Sequence, residues 1–186
     1  SSATSNAFNI TPAISAGSIL FVGYGMDDPD KFAFITTTFI PEATQIVFTD
    51  NAYTGSALAT NEGSTTWTSP AGGIPAGSVI SIQGTTVTGG GSVGTNTMSL
   101  SASGDQILIY QGNSSSPSFI AGLSSTGWIS TGSTTSNSSY LPAPLAIYTS
   151  AISFSSEEDN GYYSGPTTLA NGAAAAFICN SANWTR

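Results

Sequence analysis

The feature that most constrains this chain is a rhythm. Short runs of Val, Ile, Phe, Tyr and Thr recur along it, each cut off by Gly, Pro, Asn or Asp. Strand-like runs with turn signals at intervals of roughly 8–12 residues predict a β-sandwich or barrel. The predicted strands are Ile19–Tyr24, Phe32–Ile40, Gln45–Thr49, Ser64–Thr68, Ser78–Gln83, Thr97–Ala102, Gln106–Gln111, Ser118–Leu123, Leu145–Phe154 and Gly161–Tyr163. In Phe32–Ile40, Phe32, Phe34, Thr36 and Thr38 share one face, while Ala33, Ile35, Thr37 and Phe39 share the other. Two partly apolar faces suit a central strand. In Ser78–Gln83, Ile80 and Ile82 share a face. Ser103-Gly104-Asp105 is a hairpin-sized turn between two of the runs. Gly84–Asn96 and Ser124–Leu141, rich in Gly, Ser and Thr, read as loops. The alanine-rich Ala173–Cys179 is a poor strand and predicts a short helix capped by Asn171. The fold class expected is all-β: an immunoglobulin-like two-sheet sandwich over residues 18–186, with one short C-terminal helix and a polar N-terminal arm over residues 1–17.

Charge excludes more than it suggests. Only 6% of the 186 residues are charged, against roughly 25% in an ordinary soluble domain. Ten carboxylates face two basic residues, Lys31 and Arg186, for a formal charge of −8. A nucleic-acid binder needs several cations to displace counterions from phosphates, and an anionic membrane surface makes the same demand. No apolar run approaches the ~18 residues that cross a bilayer as a helix. Histidine is absent, which removes Ser-His and Cys-His nucleophilic mechanisms. The lone Cys179 sits in an apolar run and reads as a buried small hydrophobe. A hydroxyl-rich, charge-poor surface suits a secreted chain whose signal segment is removed before Ser1.

Three kinds of candidate site stand out. The first is acidic. Asp27, Asp28 and Asp30 crowd one turn, followed by Asp50-Asn51, Asn61-Glu62 and Glu157-Glu158-Asp159. Ca²⁺ takes hard oxygen ligands from such loops, so Asp27, Asp28, Asp30, Asp50 and Glu62 are the candidate ligands, although no EF-hand spacing is present. Solvated surface acids are the plainer reading, and a glycosidase carboxylate pair is a further one. The second is aromatic. Trp128 in a polar loop and the adjacent Tyr162 and Tyr163 are candidates to stack on sugar rings, with core packing as the plainer alternative. The third is glycosylation, at the sequons of Asn9, Asn113, Asn137 and Asn183.

The run Ser18–Tyr24 followed by Asp27–Phe34, then Ile46–Asn51, Asn61–Gly63 with Thr66–Thr68, Ser103–Gly112 and Asn180–Trp184 resembles a domain of secreted and surface-anchored proteins with the pattern GDIxFxGY, DxxDxFxF, FTDN, SGDQI. Ser18 stands where that pattern carries Asp. Such domains are distantly similar to lamin-tail-like sandwiches, and the resemblance implies an extracellular β-sandwich without an agreed activity. It places Asp27, Asp30, Asp50 and Glu62 at the acidic positions of the pattern, for a metal or turn-fixing role. Together these readings predict a non-enzymatic structural or adhesive module of a cell surface, fibre or matrix. Its partners would be other surface proteins, copies of itself or glycans. In a fibre, the arm with Phe8-Asn9-Ile10 would add as a strand to a neighbour's edge. A carbohydrate-binding module, with or without Ca²⁺, is the second reading, and a carboxylate-based glycoside hydrolase the third.

Overall fold

The computed structural model describes residues 14–170 and 172–186. The arm residues 1–13, including Asn9 and Phe8-Asn9-Ile10, and the expected helix cap Asn171 lie outside the described residues. In chain order the elements are β1 (Ile19–Gly25), β2 (Lys31–Thr36), β3 (Gln45–Thr49), β4 (Ser64–Thr68), β5 (Val79–Gln83), β6 (Thr86–Thr88), β7 (Ser92–Asn96), β8 (Gln106–Asn113), β9 (Ser116–Ser124), β10 (Ala151–Ser153), β11 (Asn160–Tyr163), α1 (Ala174–Ile178) and β12 (Trp184–Thr185). They build two six-stranded sheets, ordered β12-β11-β1-β2-β5-β6 and β10-β9-β8-β3-β4-β7. Every pairing is antiparallel except β9 with β10. The expected all-β, two-sheet sandwich with a short C-terminal helix is the fold this chain adopts. No helix among the described residues is long and apolar enough to cross a membrane.

Alternation places the core. In β2, Phe32, Phe34 and Thr36 turn inward and Lys31, Ala33 and Ile35 outward; in β5, Ile80 and Ile82 turn inward. Period-two patterning of this kind fixes which face of a sheet is buried. Between the sheets the aromatic rings interlock. Phe34 meets Trp67 edge-on with centroids 5.4 Å apart, and Phe48 lies against Phe32 at 4.8 Å. Such pairs add about 0.5–1.5 kcal/mol each beyond the area they bury. Trp67 is fully buried and donates its indole N–H to the Gly90 carbonyl. A Cβ on Gly91 would sit 2.2 Å from Trp67 Nε1, and Gly91 has φ +83°. Only glycine lets the backbone pass this close over the indole in that conformation.

Both outer faces are partly covered. The segment through Trp128, Leu141, Leu145 and Ile147 packs over Leu108, Tyr110 and Phe119 on the second sheet. Helix α1 packs Ile178, Ala174 and Ala175 against Leu20, Val22 and Ile35 on the first. Among the described residues, the rest of that first face, across Gly23, Ala33 and Ser81, has no such cover.

Four local expectations differ from the structure. Thr97–Ala102 is not a strand, because carboxylate side chains take its amide protons, as described below. Gly84–Asn96 is not a loop but contains β6 and β7, the neighbouring edge strands of the two sheets. Leu145–Phe154 is strand only over Ala151–Ser153; before it the Ala146 carbonyl accepts from Thr149, Ser150 and Ala151, which winds the chain into a turn. Ser103-Gly104-Asp105 is not a hairpin turn: the chain enters β8 from an irregular loop, with the Asp105 amide donating to Ser125 Oγ.

Candidate functional site

Asp30, Asp50 and Asp105 gather at one end of the sandwich and face protein amides. Three consecutive N–H groups, of Ser99, Leu100 and Ser101, donate to three different carboxylates: Asp50 Oδ2 at 2.8 Å, Asp30 Oδ2 at 2.7 Å and Asp105 Oδ2 at 3.0 Å. The second oxygen of Asp50 accepts from Gly63 N–H at 2.7 Å, and that of Asp105 from Gln106 N–H at 2.8 Å. Asn51 completes the clasp, accepting from Glu62 N–H and donating to the Gly63 carbonyl. Thus three carboxylates from separate parts of the chain hold a segment that no strand pairs. Burial raises the Asp30 carboxyl, helped by the charges of Asp28 and Asp50 and opposed by the Leu100 amide. Burial pushes Asp105 up to about 8 against the pull of its two amides, with the charges of Glu62 and Asp50 adding to the rise. Glu62 is pushed up to about 7 by burial and by the charge of Asp50. Among the described residues, its Oε2 and the Gln106 Oε1 are buried without a hydrogen-bond partner.

The five candidate calcium ligands are engaged in different ways. Ca²⁺ takes six to eight oxygen ligands. Among the described residues no group of three or more acidic or thiol side chains is disposed to hold a metal ion. Asp30 and Asp50 face backbone donors, Asp27 accepts from the Asn160 side chain at 2.7 Å, Asp28 is exposed in the turn, and Glu62 is half-buried. Asp30 and Asp50 fix the backbone at Ser99 and Leu100. Asp105 and Gln106, read only as part of a turn and strand, are the members that sequence reasoning missed.

The second feature is a trough of about 640 Å³ on the uncovered half of the first sheet. Register explains it. Thr185, Tyr162, Gly23, Ala33, Ser81 and Thr88 are cross-strand partners in one row that spans all six strands. The three central members are small, so the row sinks between its neighbours. Lys31, Gln83, Thr86 and Asn160 line one side. The side chains of Lys31 and Asn160 both lie over Gly25, where a Cβ would meet each at 2.7 Å. Tyr162, 58% exposed, stands at the β11 end. Arg186 also borders the trough, but its guanidinium donates to the Ser156 carbonyl and hydroxyl and lies 5.0 Å over the Phe154 ring.

No family model matches this chain, and no curated protein or solved structure matches it either.

The three predicted aromatic contacts separate. Trp128 is half-buried over the second sheet and donates its indole N–H to the Ile152 carbonyl, so it is cover for that face and not a free platform. Tyr163 turns to the core beside Trp184, and its hydroxyl donates to the Pro166 carbonyl. Tyr162 alone faces the trough, as alternation along β11 requires. Of the sequons, Asn137 and Asn183 use Nδ2 to donate to the carbonyls of Gly104 and Phe177. Asn113 is exposed and uses Oδ1, accepting from Ser115. A glycan at Asn137 or Asn183 would break a hydrogen bond that one at Asn113 leaves intact. Cys179 is buried, and burial pushes its thiol up to about 12.

Proposed function

We propose that this chain is an extracellular adhesive module, a rigid non-catalytic sandwich that presents one recognition surface to a neighbouring surface or matrix. The observation that carries the reading is the trough: it is preformed, crosses the full width of a sheet, and lies on the half of an outer face that the described residues leave uncovered. Ladder hydrogen bonds hold its floor rigid, so little ordering opposes binding. The acidic end supports the non-catalytic reading, since the oxygens of Asp30, Asp50 and Asp105 receive backbone amides instead of facing each other across a cleft.

The test is retention of the folded domain on cell-surface and matrix fractions of the producing organism. Gly23 offers a clean probe. A Cβ there meets nothing closer than 3.6 Å, so Gly23→Leu fills the trough without a backbone clash. Retention by the parent domain and its loss in Gly23→Leu is the expected result. Equal retention of the two, or none by either, refutes the proposal.

A further inference from the structure

We propose that the trough binds an uncharged polysaccharide, with a sugar ring stacked on Tyr162 and its hydroxyls hydrogen-bonded by Ser81, Gln83, Thr86 and Asn160; this rests on the adhesive reading and names its ligand. Three observations converge. First, the floor is a sheet face whose main-chain groups are already paired in ladders. A peptide adding as a strand needs a free edge, so recognition in the trough belongs to side chains. Second, those side chains are neutral hydroxyls and amides, which both donate and accept and so match sugar hydroxyls. Third, the single exposed aromatic ring on the row stands beside a floor of Gly23, Ala33 and Ser81, low enough for a flat pyranose to lie across. Apolar faces with a few polar groups at the margin are the general form of a small-molecule site.

Charge selects against acidic ligands. Asn160 at the trough's end is held by Asp27, and Glu157 lies within reach of the charges of Asp159, Glu158 and Asp27. Lys31 and Arg186 both border the trough, with the Arg186 guanidinium already engaged by Ser156 and the Phe154 ring; beyond this rim the chain carries a formal charge of −8, so the field of the whole domain repels an approaching polyuronate or nucleic acid. Lys31 then serves as a hydroxyl donor over Gly25 and not as a partner for a carboxylate.

The experiment is affinity electrophoresis of the purified domain through gels holding neutral polysaccharides (xylan, mixed-linkage β-glucan, glucomannan, soluble starch) or acidic ones (alginate, polygalacturonate). Retardation by at least one neutral polymer and by neither acidic one is expected. Tyr162→Ala, a change at an exposed position, should weaken that affinity by about tenfold or more, as the loss of an aromatic anchor does. Tyr148→Ala, an equally exposed tyrosine outside the trough, should leave it unchanged. Gly23→Leu should abolish it, with circular dichroism verifying the fold; if that variant is unfolded, Tyr162→Ala decides alone. Binding to no neutral polymer, binding that survives Tyr162→Ala, or preference for the acidic polymers overturns the proposal. The adhesive reading stands or falls separately: retention on native surfaces that Gly23→Leu removes, without binding to any glycan, would keep the trough and discard the sugar.

Discussion

Replacing Asp50 by alanine tests whether the acidic end is a clasp for amides. The side chain is 1% exposed and accepts from Gly63 N–H at 2.7 Å and Ser99 N–H at 2.8 Å. The two amides fare differently once it is gone. Gly63 is buried and its N–H is orphaned, whereas Ser99 is exposed and its N–H finds water. An orphaned buried donor costs about 1–3 kcal/mol, and bonds to a charged acceptor contribute about 1.5–3 kcal/mol. Together they set the expected loss at about 2–3 kcal/mol. Removing the Asp50 charge also relieves Glu62 and Asp105, whose carboxyls it helps to raise. That relief exists only where those neighbours are ionised, with pKa values of about 7 and about 8. The loss should therefore be larger near pH 5 than near pH 8. Urea unfolding followed by tryptophan fluorescence measures it, and a midpoint temperature lowered by about 4–8 °C should accompany a 2 kcal/mol loss at this chain length. A loss under about 0.5 kcal/mol at both pH values would refute the clasp, given the orphaned amide it demands. So would a parent protein destabilised by EDTA, since mass action would then place a bound ion where the amides are drawn.

Further outcomes follow from the same geometry. Asp105 and Glu62 have folded pKa values near 8 and 7, above the ordinary carboxyl range near 4 in the unfolded chain; the native state binds more protons between those limits, so melting temperature should fall as pH rises from about 5 to about 9, and a rise across that window would refute the burial argument. Gly91→Ala puts a methyl 2.2 Å from Trp67 Nε1 at φ +83°, whereas Gly132→Ala at φ +90° meets nothing within 4 Å; the first should cost more than about 3 kcal/mol and the second about 1 kcal/mol, in denaturant titrations, and equal costs would remove the close approach as the cause. Cys179 should resist a thiol reagent in the native protein and react once denatured, because burial disfavours its thiolate; rapid labelling of the folded chain would contradict that.

Much of the sandwich is legible in the sequence where one face is buried and one is not. The alternation in Phe32–Ile40 and Ser78–Gln83 names both strands, although the first ends at Thr36. The readings that miss do so for long-range reasons. Thr97–Ala102 alternates like a strand, yet its amide partners are carboxylates 70 and 49 positions earlier in the chain, at Asp30 and Asp50, and one that follows it, at Asp105. Acidic side chains carry no sequence signal that separates a metal ligand from an amide acceptor. The strands within Gly84–Asn96 are short and broken by glycines, which masks the β-branched Thr86-Val87-Thr88; their place is set by edge pairing and by the indole of Trp67 beneath the glycines. Tyr162 and Tyr163 part company because adjacent strand residues must face opposite ways and only one could reach a given surface. The trough itself depends on register, which lines up Gly23, Ala33 and Ser81 from three separate runs, and no single run announces that.

The strands at the four rims of the sandwich are β12, β6, β10 and β7, spanning two, three, three and five residues. A chain with so few lysines has little charge with which to guard its borders, and brevity does that job instead. Two copies meeting rim to rim would share a ladder of only a handful of rungs, and the longest rim, β7, pairs inward through a register shift opposite Thr65 and Trp67. Lateral zippering into ribbons is thus poorly supported by this architecture, and any ordered array of these modules would have to be stitched broadside, or by whatever polymer they jointly grip.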